Sequence, residues 1–215
     1  MFSVPEFSEF EVDAADTYKT IRALSEGIFK EKGSKFIASA RPVLQETEIK
    51  TIIEGIRKEH HVAKHHCYAY ILGQDGITWR ANDDGEPSGT AGRPILGQIR
   101  SCGLTNVLVV VSRYFGGTLL GVSGLINAYK TAASTALANA EIIDHVIHEC
   151  YEVKYPYPAM NDVMKIIKEE NIIQSEHTFD LECRIILNFR SSAKERILNR
   201  LARVQGLTYK FISVR

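Results

Sequence analysis

The chain has 215 residues, of which 45% are hydrophobic and 24% are charged. This composition is ordinary for a globular protein, and it excludes a collagen-like, low-complexity or largely disordered chain. The 26 Lys and Arg residues balance the 26 Asp and Glu residues, so the formal net charge is zero. A globally basic coat for nucleic acid is therefore excluded, whereas a local basic patch is not.

The sequence shows no feature of export or of membrane insertion. The most apolar run, residues 107–111, is far shorter than the roughly 20 residues that cross a bilayer. The four cysteines form no CxxC pair and are predicted to be reduced, mostly buried thiols. We therefore expect a cytoplasmic protein without membrane contact.

Charge is unevenly distributed between the two ends of the chain. Residues 1–16 carry five carboxylates and no Lys or Arg, unlike a signal peptide, and are expected to be solvated. Residues 191–215 are basic, with one glutamate against six cationic side chains. The basic end is either a solvated helix face or a contact for phosphates, and both interpretations stay open.

Hydrophobic periodicity predicts an alternation of strands and helices over the first part of the chain. Ile49, Ile52, Ile53 and Ile56 have the spacing of an amphipathic helix. The β-branched run at 107–112 is typical of a strand that is buried on both faces. In chain order we predict strands at 26–32 and 34–43, a helix at 47–60, strands at 67–72 and 77–81, a loop at 82–92, a helix at 93–101, a strand at 107–112 and a helix at 122–140.

The remainder of the chain has the pattern of a second, smaller unit. In chain order we predict a strand at 145–155, a helix at 159–171, strands at 172–178 and 181–189, a helix at 192–204 and a strand at 207–214. The order βαββαβ within about 70 residues is the ferredoxin-like arrangement. We therefore predict an α+β protein with domains at 1–141 and 142–215.

The segment SRYFGGTLLGVSG, residues 112–124, connects the apolar strand to a helix. Backbone N–H groups in such a glycine turn, with the helix N-terminus, can bind an anion. Val122 stands where a phosphate-binding loop requires lysine, so an ATPase or GTPase is rejected. Arg113 ends an apolar strand and needs a partner, either an internal carboxylate or an external phosphate. In the alternative interpretation, Gly116 and Gly117 only form a turn, and Tyr114 and Phe115 only pack in the core.

The polar loop at 82–92 is the second segment that could carry chemistry. Asp83, Asp84 and Glu86 could coordinate a divalent cation or act as acid and base, but their spacing is not that of a calcium loop. Arg80 and Arg93 flank the loop and neutralise much of its charge. We therefore expect neither a dedicated metal site nor a cofactor.

The third such segment is the histidine-rich run at 60–67. If the preceding helix continued, His61 and His65 would lie together; a strand instead sends His65 and His66 to opposite faces. We favour the strand, and the spacing fits neither a zinc finger nor HExxH. Trp79 lies in a predicted strand and is expected in the core.

Four segments together resemble the YigZ/IMPACT family. They are SKFIA at 34–38, AKHHCYAY at 63–70, NDDGEPSGTAGRPIL at 82–96 and VVVSRYFGGTLLGVSGL at 109–125, the last being the most specific. The resemblance implies a first domain with the left-handed βαβ fold of elongation factor G domain IV and a second domain similar to its domain V. In eukaryotic relatives the related domain belongs to a translation regulator. The resemblance therefore implies a link to translation or RNA and supplies no catalytic residues.

The leading hypothesis is a non-enzymatic, translation-associated regulator that binds RNA or the ribosome through an anion-binding cleft of the first domain. Three arginines at i, i+4 and i+7 of the helix at 192–204 would add a second contact, and either aromatic after Arg113 could stack on a base. The predicted binding residues are Lys35, His65, His66, Arg80, Asp83, Asp84, Glu86, Ser88, Arg93, Arg113, Tyr114, Phe115, Gly116, Gly117, Arg196, Arg200 and Arg203.

Two other function classes remain open. The alternative is a metal-dependent hydrolase of a phosphoester or phosphorylated metabolite, in which Asp83, Asp84, Glu86 and His65 would hold Mg²⁺ or Zn²⁺. The third is an adaptor that binds a protein partner through the exposed sheet face of the second domain.

Overall fold

The computed structural model describes residues 16–178 and 182–214, so the acidic start at 1–15 lies outside the described residues. The chain divides into two units. The N-terminal unit runs from Tyr18 to His145, and the C-terminal unit comprises the described residues from Val146 onward together with Asp16 and Thr17. No helix in the described part of the chain is long and apolar enough to cross a membrane.

A five-stranded antiparallel sheet forms the centre of the N-terminal unit. Its strand order is β2-β3-β6-β4-β5, and β1 pairs separately with β7. The elements are β1 (Thr17–Ile21), β2 (Ser25–Glu31), β3 (Ser34–Pro42), α1 (Glu46–Glu59), β4 (His65–Leu72), β5 (Thr78–Asn82), α2 (Gly92–Ser101), β6 (Val107–Tyr114), α3 (Gly121–Ala138) and β7 (Ile142–Val146).

Side chains of the central strand β6 alternate between two hydrophobic layers. Val109 and Val111 belong to the layer that includes residues of α2 and α3. Leu108 and Val110 belong to the opposite layer, which includes Ile49 of α1. A strand covered on both faces must be apolar throughout, which accounts for the β-branched run in the sequence.

Helix α3 approaches the sheet closely because its buried face consists largely of small residues. Ala132, Ala133 and Ala136 are fully buried there. Opposite them, β2 carries Gly27, and an added Cβ would lie 2.4 Å from the backbone nitrogen of Ala136. The alanine spacing in the sequence thus sets the distance between helix and strand.

The C-terminal unit contains a four-stranded antiparallel sheet in the order β11-β8-β10-β9. Its elements are β8 (His148–Pro156), α4 (Met160–Glu169), β9 (Ile173–Thr178), β10 (Glu182–Arg190), α5 (Lys194–Leu201) and β11 (Thr208–Val214). Apolar side chains from the strands and both helices form one core. The predicted α+β class and the ferredoxin-like element order are confirmed.

Two predictions about burial are wrong. Asp16, expected in a solvated start, is completely buried and accepts bonds from Arg190 Nε at 3.1 Å and Ser192 Oγ at 2.5 Å. Trp79, expected in the core, is 51% exposed and lies under the guanidinium of Arg100, 4.7 Å from the ring centroid. A strand position predicts alternation between faces but not whether a layer covers each face.

The packing of α3 on β2 generates a stability prediction. Gly27→Ala should destabilise the N-terminal unit by about 1–3 kcal/mol because the new methyl group overlaps helix backbone that cannot move aside. Trp79 is the only tryptophan of the chain and lies in this unit, so its fluorescence in a urea titration reports the change. Gly55→Ala, in α1 with open space around it, is the control and should stabilise by up to about 1 kcal/mol. Equal effects of both substitutions would contradict this account.

Candidate functional site at the end of strand β6

Two glycines shape the turn between β6 and α3. At Gly116 a Cβ would lie 1.9 Å from the carbonyl carbon of Gly33, so only glycine fits against the β2–β3 turn. The Gly116 N–H donates to Ser34 Oγ at 3.1 Å. Gly117 has φ +87°, which favours glycine. The predicted corner of free backbone N–H groups is therefore partly closed, because the Gly116 donor already has a partner.

The acidic loop is held in place by its own first carboxylate. Asp83 Oδ1 accepts the N–H groups of Ala91 and Gly92 at 3.0 and 2.8 Å, and Oδ2 accepts that of Gly89 at 2.8 Å. Burial raises the pKa of Asp83, but these three N–H groups outweigh burial and hold the pKa below its ordinary value. Asp83 is thus an ionised anchor for the loop and the start of α2.

Arg113 and Glu86 form a buried ion pair. Arg113 Nη1 lies 2.7 Å from Glu86 Oε1, and the same oxygen accepts the hydroxyl of Tyr129 at 2.7 Å. Burial raises the pKa of Tyr129, so its hydroxyl keeps the proton that it donates. The partner of Arg113 is therefore the internal carboxylate. The other partner that the sequence left open, an external phosphate, is not supported, since Arg113 is only 6% exposed.

A cavity of about 410 Å³ opens above this ion pair. Its polar lining comes from Arg113, Glu86, His65 and Lys64, and Lys64 is exposed. The other lining residues are Pro87, Phe115, Leu119, Leu120, Gly121, Val122 and Leu125. Loop 82–92 and segment 112–124, predicted separately as the sites of chemistry, therefore meet at one cavity.

The remaining predicted basic and aromatic residues do not join this cavity. In the register of the sheet, Phe36, Arg113 and His65 lie opposite one another and share the face of α3. Lys35 lies opposite Tyr114, one position along, and so occupies the other face. The prediction that Lys35 and Tyr114 share one cleft with Arg113 is wrong, because neighbouring residues of a strand point to opposite faces.

Side chains on the α1 face form a separate hydrogen-bonded group. Tyr114 hydroxyl lies 3.0 Å from His60 Nδ1, and His66 Nε2 lies 3.2 Å from the carbonyl oxygen of His60. Arg80 lies opposite Tyr70 on this face. The predicted placement of His65 and His66 on opposite faces is confirmed.

The carboxylates of the loop point to separate partners. Asp84 Oδ1 pairs with Arg57 Nη2 at 2.6 Å, while Oδ2 accepts the His66 N–H at 2.7 Å. His65 Nδ1 binds the Asp84 carbonyl oxygen at 2.8 Å. Within residues 16–178 and 182–214, no group of three or more His, Cys, Asp or Glu side chains could hold a metal ion. This geometry gives the metal-dependent hydrolase no support.

The arginines of α5 are occupied within the C-terminal unit. Arg196 Nε lies 2.9 Å from Glu170 Oε2, and Arg200 Nη1 lies 2.7 Å from Glu170 Oε1. Arg200 also pairs with Glu169. Arg203 lies beyond the end of α5, so the predicted stripe of three arginines on one helix is not formed.

Charged side chains pair with one another across strands β8 and β10 of the C-terminal sheet. Arg184 Nε lies 3.1 Å from Glu152 Oε1, and Lys154 lies within 4.0 Å of Glu152 and Glu182. These side chains neutralise one another across the strands. The predicted adaptor role of this sheet face stays a prediction.

Ser88 and Arg93 are exposed on the loop and at the start of α2, and neither lines the cavity. Sequence reasoning missed Tyr129, which donates a hydrogen bond to Glu86, and Lys64, which lines the cavity. Tyr129 could have been found, because a hydroxyl among the buried alanines of α3 needs a hydrogen-bond partner. It also missed that Lys30 lies directly opposite Lys35 on β2 and β3.

The residues that line the cavity lie within the segment that matches a known protein family. Residues 32–137 match the family model of the Impact N-terminal domain. The chain is similar to IMPACT family member YvyE of Bacillus subtilis, with 33% identity over 160 residues that cover 74% of each chain. It is also similar to IMPACT family member YigZ of Escherichia coli, with 41% identity over 49% of this chain and 53% of the relative.

Two further similarities concern a eukaryotic protein and a solved structure. Protein IMPACT of Oryctolagus cuniculus is 35% identical over 42% of this chain, and the match spans 30% of that protein. The crystal structure of a hypothetical protein superposes with a TM-score of 0.71 at 25% identity, covering 92% of this chain and 98% of the other.

The buried ion pair generates a second stability prediction. Glu86→Ala should destabilise the N-terminal unit by about 3–5 kcal/mol because Arg113 is left charged and buried without a carboxylate. Tyr129→Phe should cost about 1.5 kcal/mol through loss of one bond to a charged acceptor. Urea unfolding followed by Trp79 fluorescence measures both. Glu54→Ala, at an exposed position, is the control and should change the free energy of unfolding by no more than about 0.5 kcal/mol. An equally small change in Glu86→Ala would refute the stabilising role of the ion pair.

His66 generates a prediction about pH. Its Nε2 donates to a carbonyl, and its buried Nδ1 has no hydrogen-bond partner among the described residues. Burial, followed by the charge of Arg57, holds the pKa of His66 below the ordinary value of 6.5. The unfolded chain therefore binds the proton first, and this contribution to stability, present above 6.5, is lost as pH falls below it.

His66→Gln should flatten the decline in unfolding free energy that wild type shows as pH falls from about 7 to about 5.5. Urea titrations at several pH values, followed by Trp79 fluorescence, measure the slope. His61→Gln, an exposed neighbour, should leave the slope unchanged. A wild-type slope retained in His66→Gln would exclude this group as its source.

Proposed function

The chain belongs to the IMPACT family, and we propose that it is a translation-associated regulator that binds RNA, alone or within the ribosome, through the cavity at the end of β6. The observation that carries the proposal is the exposed apolar wall of a cavity whose floor is an ion pair without net charge. Phe115 is 46% exposed and Leu119 83% exposed. An exposed apolar patch rimmed by polar groups marks a binding surface.

Three features favour RNA as the ligand. Phe115 offers an accessible aromatic ring, and the guanidinium of Arg113 lies 5.7 Å from its centroid. Single-stranded RNA is recognised by stacking of bases on exposed aromatic rings, a role that fits Phe115 but not the buried Arg113. Lys64 on the rim supplies a positive charge for a phosphate. The family resemblance, through its eukaryotic translation regulator, supports a role in translation.

The β2–β3 hairpin offers a second contact for the backbone of the RNA. Lys30 and Lys35 oppose each other directly across the two strands, and Lys32 lies in the exposed turn between them with φ +45°. Like charges placed opposite each other destabilise a strand pair, and a bound phosphate would relieve that repulsion. The turn touches Gly116, so this basic hairpin begins beside the segment that forms the cavity.

Salt-dependent binding tests the proposal. The full chain should bind tRNA, ribosomal RNA fragments or single strands with an affinity that falls as salt rises. For single strands the fall should be about 0.7 log units per phosphate contact for each log unit of salt. Lys64→Gln and Lys35→Gln should each reduce the slope by about that amount in gel-shift titrations. Lys50→Gln on α1 removes the same charge from the same unit and should leave the slope unchanged. Absence of binding to all three RNA classes would refute the proposal.

A further inference from the structure

The floor of the cavity is neutral but carries unused hydrogen-bonding capacity. Arg113 and Glu86 cancel each other's charge at 2.7 Å. Glu86 Oε1 accepts from both Arg113 and Tyr129, which leaves Oε2 outside both bonds. Arg113 Nε has no partner among the described residues but is itself enclosed, so a donor to the cavity must be a terminal nitrogen of the guanidinium. The floor thus places a carboxylate acceptor beside a guanidinium donor.

This floor disfavours a bare anion. A phosphate against Arg113 would also meet the negative charge of Glu86 at close range, and the low dielectric of a buried site strengthens that repulsion. A neutral, planar group with an adjacent donor and acceptor on one edge avoids this repulsion. It can donate to the carboxylate and accept from the guanidinium at the same time.

The walls and the rim match the rest of a nucleotide. Phe115, Leu119 and Val122 present exposed apolar surface to a flat ring. The cavity of about 410 Å³ falls within the usual size of small-molecule sites. Lys64 is exposed at the rim, and the 18-residue helix α3 begins at Gly121 without a side-chain cap. Both provide positive potential where a sugar phosphate would leave the cavity.

We infer that the cavity accepts one unpaired nucleobase of single-stranded RNA, with its hydrogen-bonding edge on Glu86 and Arg113 and its face on Phe115. This inference rests on the proposed function and specifies the form of RNA that the site takes. In a continuous duplex, base pairing buries the hydrogen-bonding edge of each base and stacking buries its faces. A duplex should therefore not bind in the cavity.

Fluorescence anisotropy with the full chain and three labelled probes tests the inference. The probes are a short single strand, the same sequence in a duplex, and an abasic strand of equal length and charge. The intact single strand should bind at least about five-fold more tightly than either of the others, the lower end of what stacking one base contributes. Phe115→Ala should remove most of that difference. Phe211→Ala, an equally exposed phenylalanine in the C-terminal unit, should retain it.

The outcomes separate this inference from the proposed function. Equal affinity for the intact and abasic strands, or an unchanged preference in Phe115→Ala, overturns the base-binding cavity and leaves salt-dependent RNA binding standing. Failure of the wild-type chain to bind any of the three probes refutes both. Free nucleosides provide an independent readout: they should compete with the single strand, whereas ribose 5-phosphate at equal concentration should not.

Discussion

The ion pair between Arg113 and Glu86 holds three separate parts of the N-terminal unit together. Arg113 comes from the end of β6, Glu86 from the polar loop, and Tyr129 joins them from α3. Neither charge could remain buried without the other, since an unpaired ion in this position costs several kcal/mol. The pair thus determines where the loop lies relative to the start of α3, and the cavity is the space that this arrangement leaves.

In the proposed function, the same pair decides what the cavity can bind. An unpaired arginine at this position would be a phosphate site; an arginine neutralised by a carboxylate beside an apolar wall is not. Phe115 and Leu119 remain exposed because the turn after β6 projects them away from both hydrophobic layers. In that proposal, electrostatic attraction comes from the lysines at the rim and on the β2–β3 hairpin, so recognition of shape and hydrogen-bonding edge is separated from recognition of charge.

Several features of the site were accessible from the sequence because they follow from local rules. Alternation along a strand correctly places His65 and His66 on opposite faces. A buried arginine after an apolar run correctly demands a partner. The same alternation also separates Lys35 from Arg113, but only the strand order β3-β6-β4 brings those residues side by side and shows on which face each lies. Arg196 pairs with Glu170 and Asp16 pairs with Arg190. Both partners are distant in the chain, so no local sequence pattern predicts them.

The amino-acid sequence by itself determined the order of strands and helices apart from β1 and β7, the α+β class, the ferredoxin-like arrangement of the C-terminal part and the family, because periodicity and motif spacing are properties of neighbouring residues. The tertiary structure alone decided which carboxylate meets Arg113, that the acidic side chains point to separate donors, and that Trp79 is exposed. Those outcomes depend on contacts between residues distant in the chain and on which faces of the sheet are covered. Both are settled only when the strands pair and the helices pack.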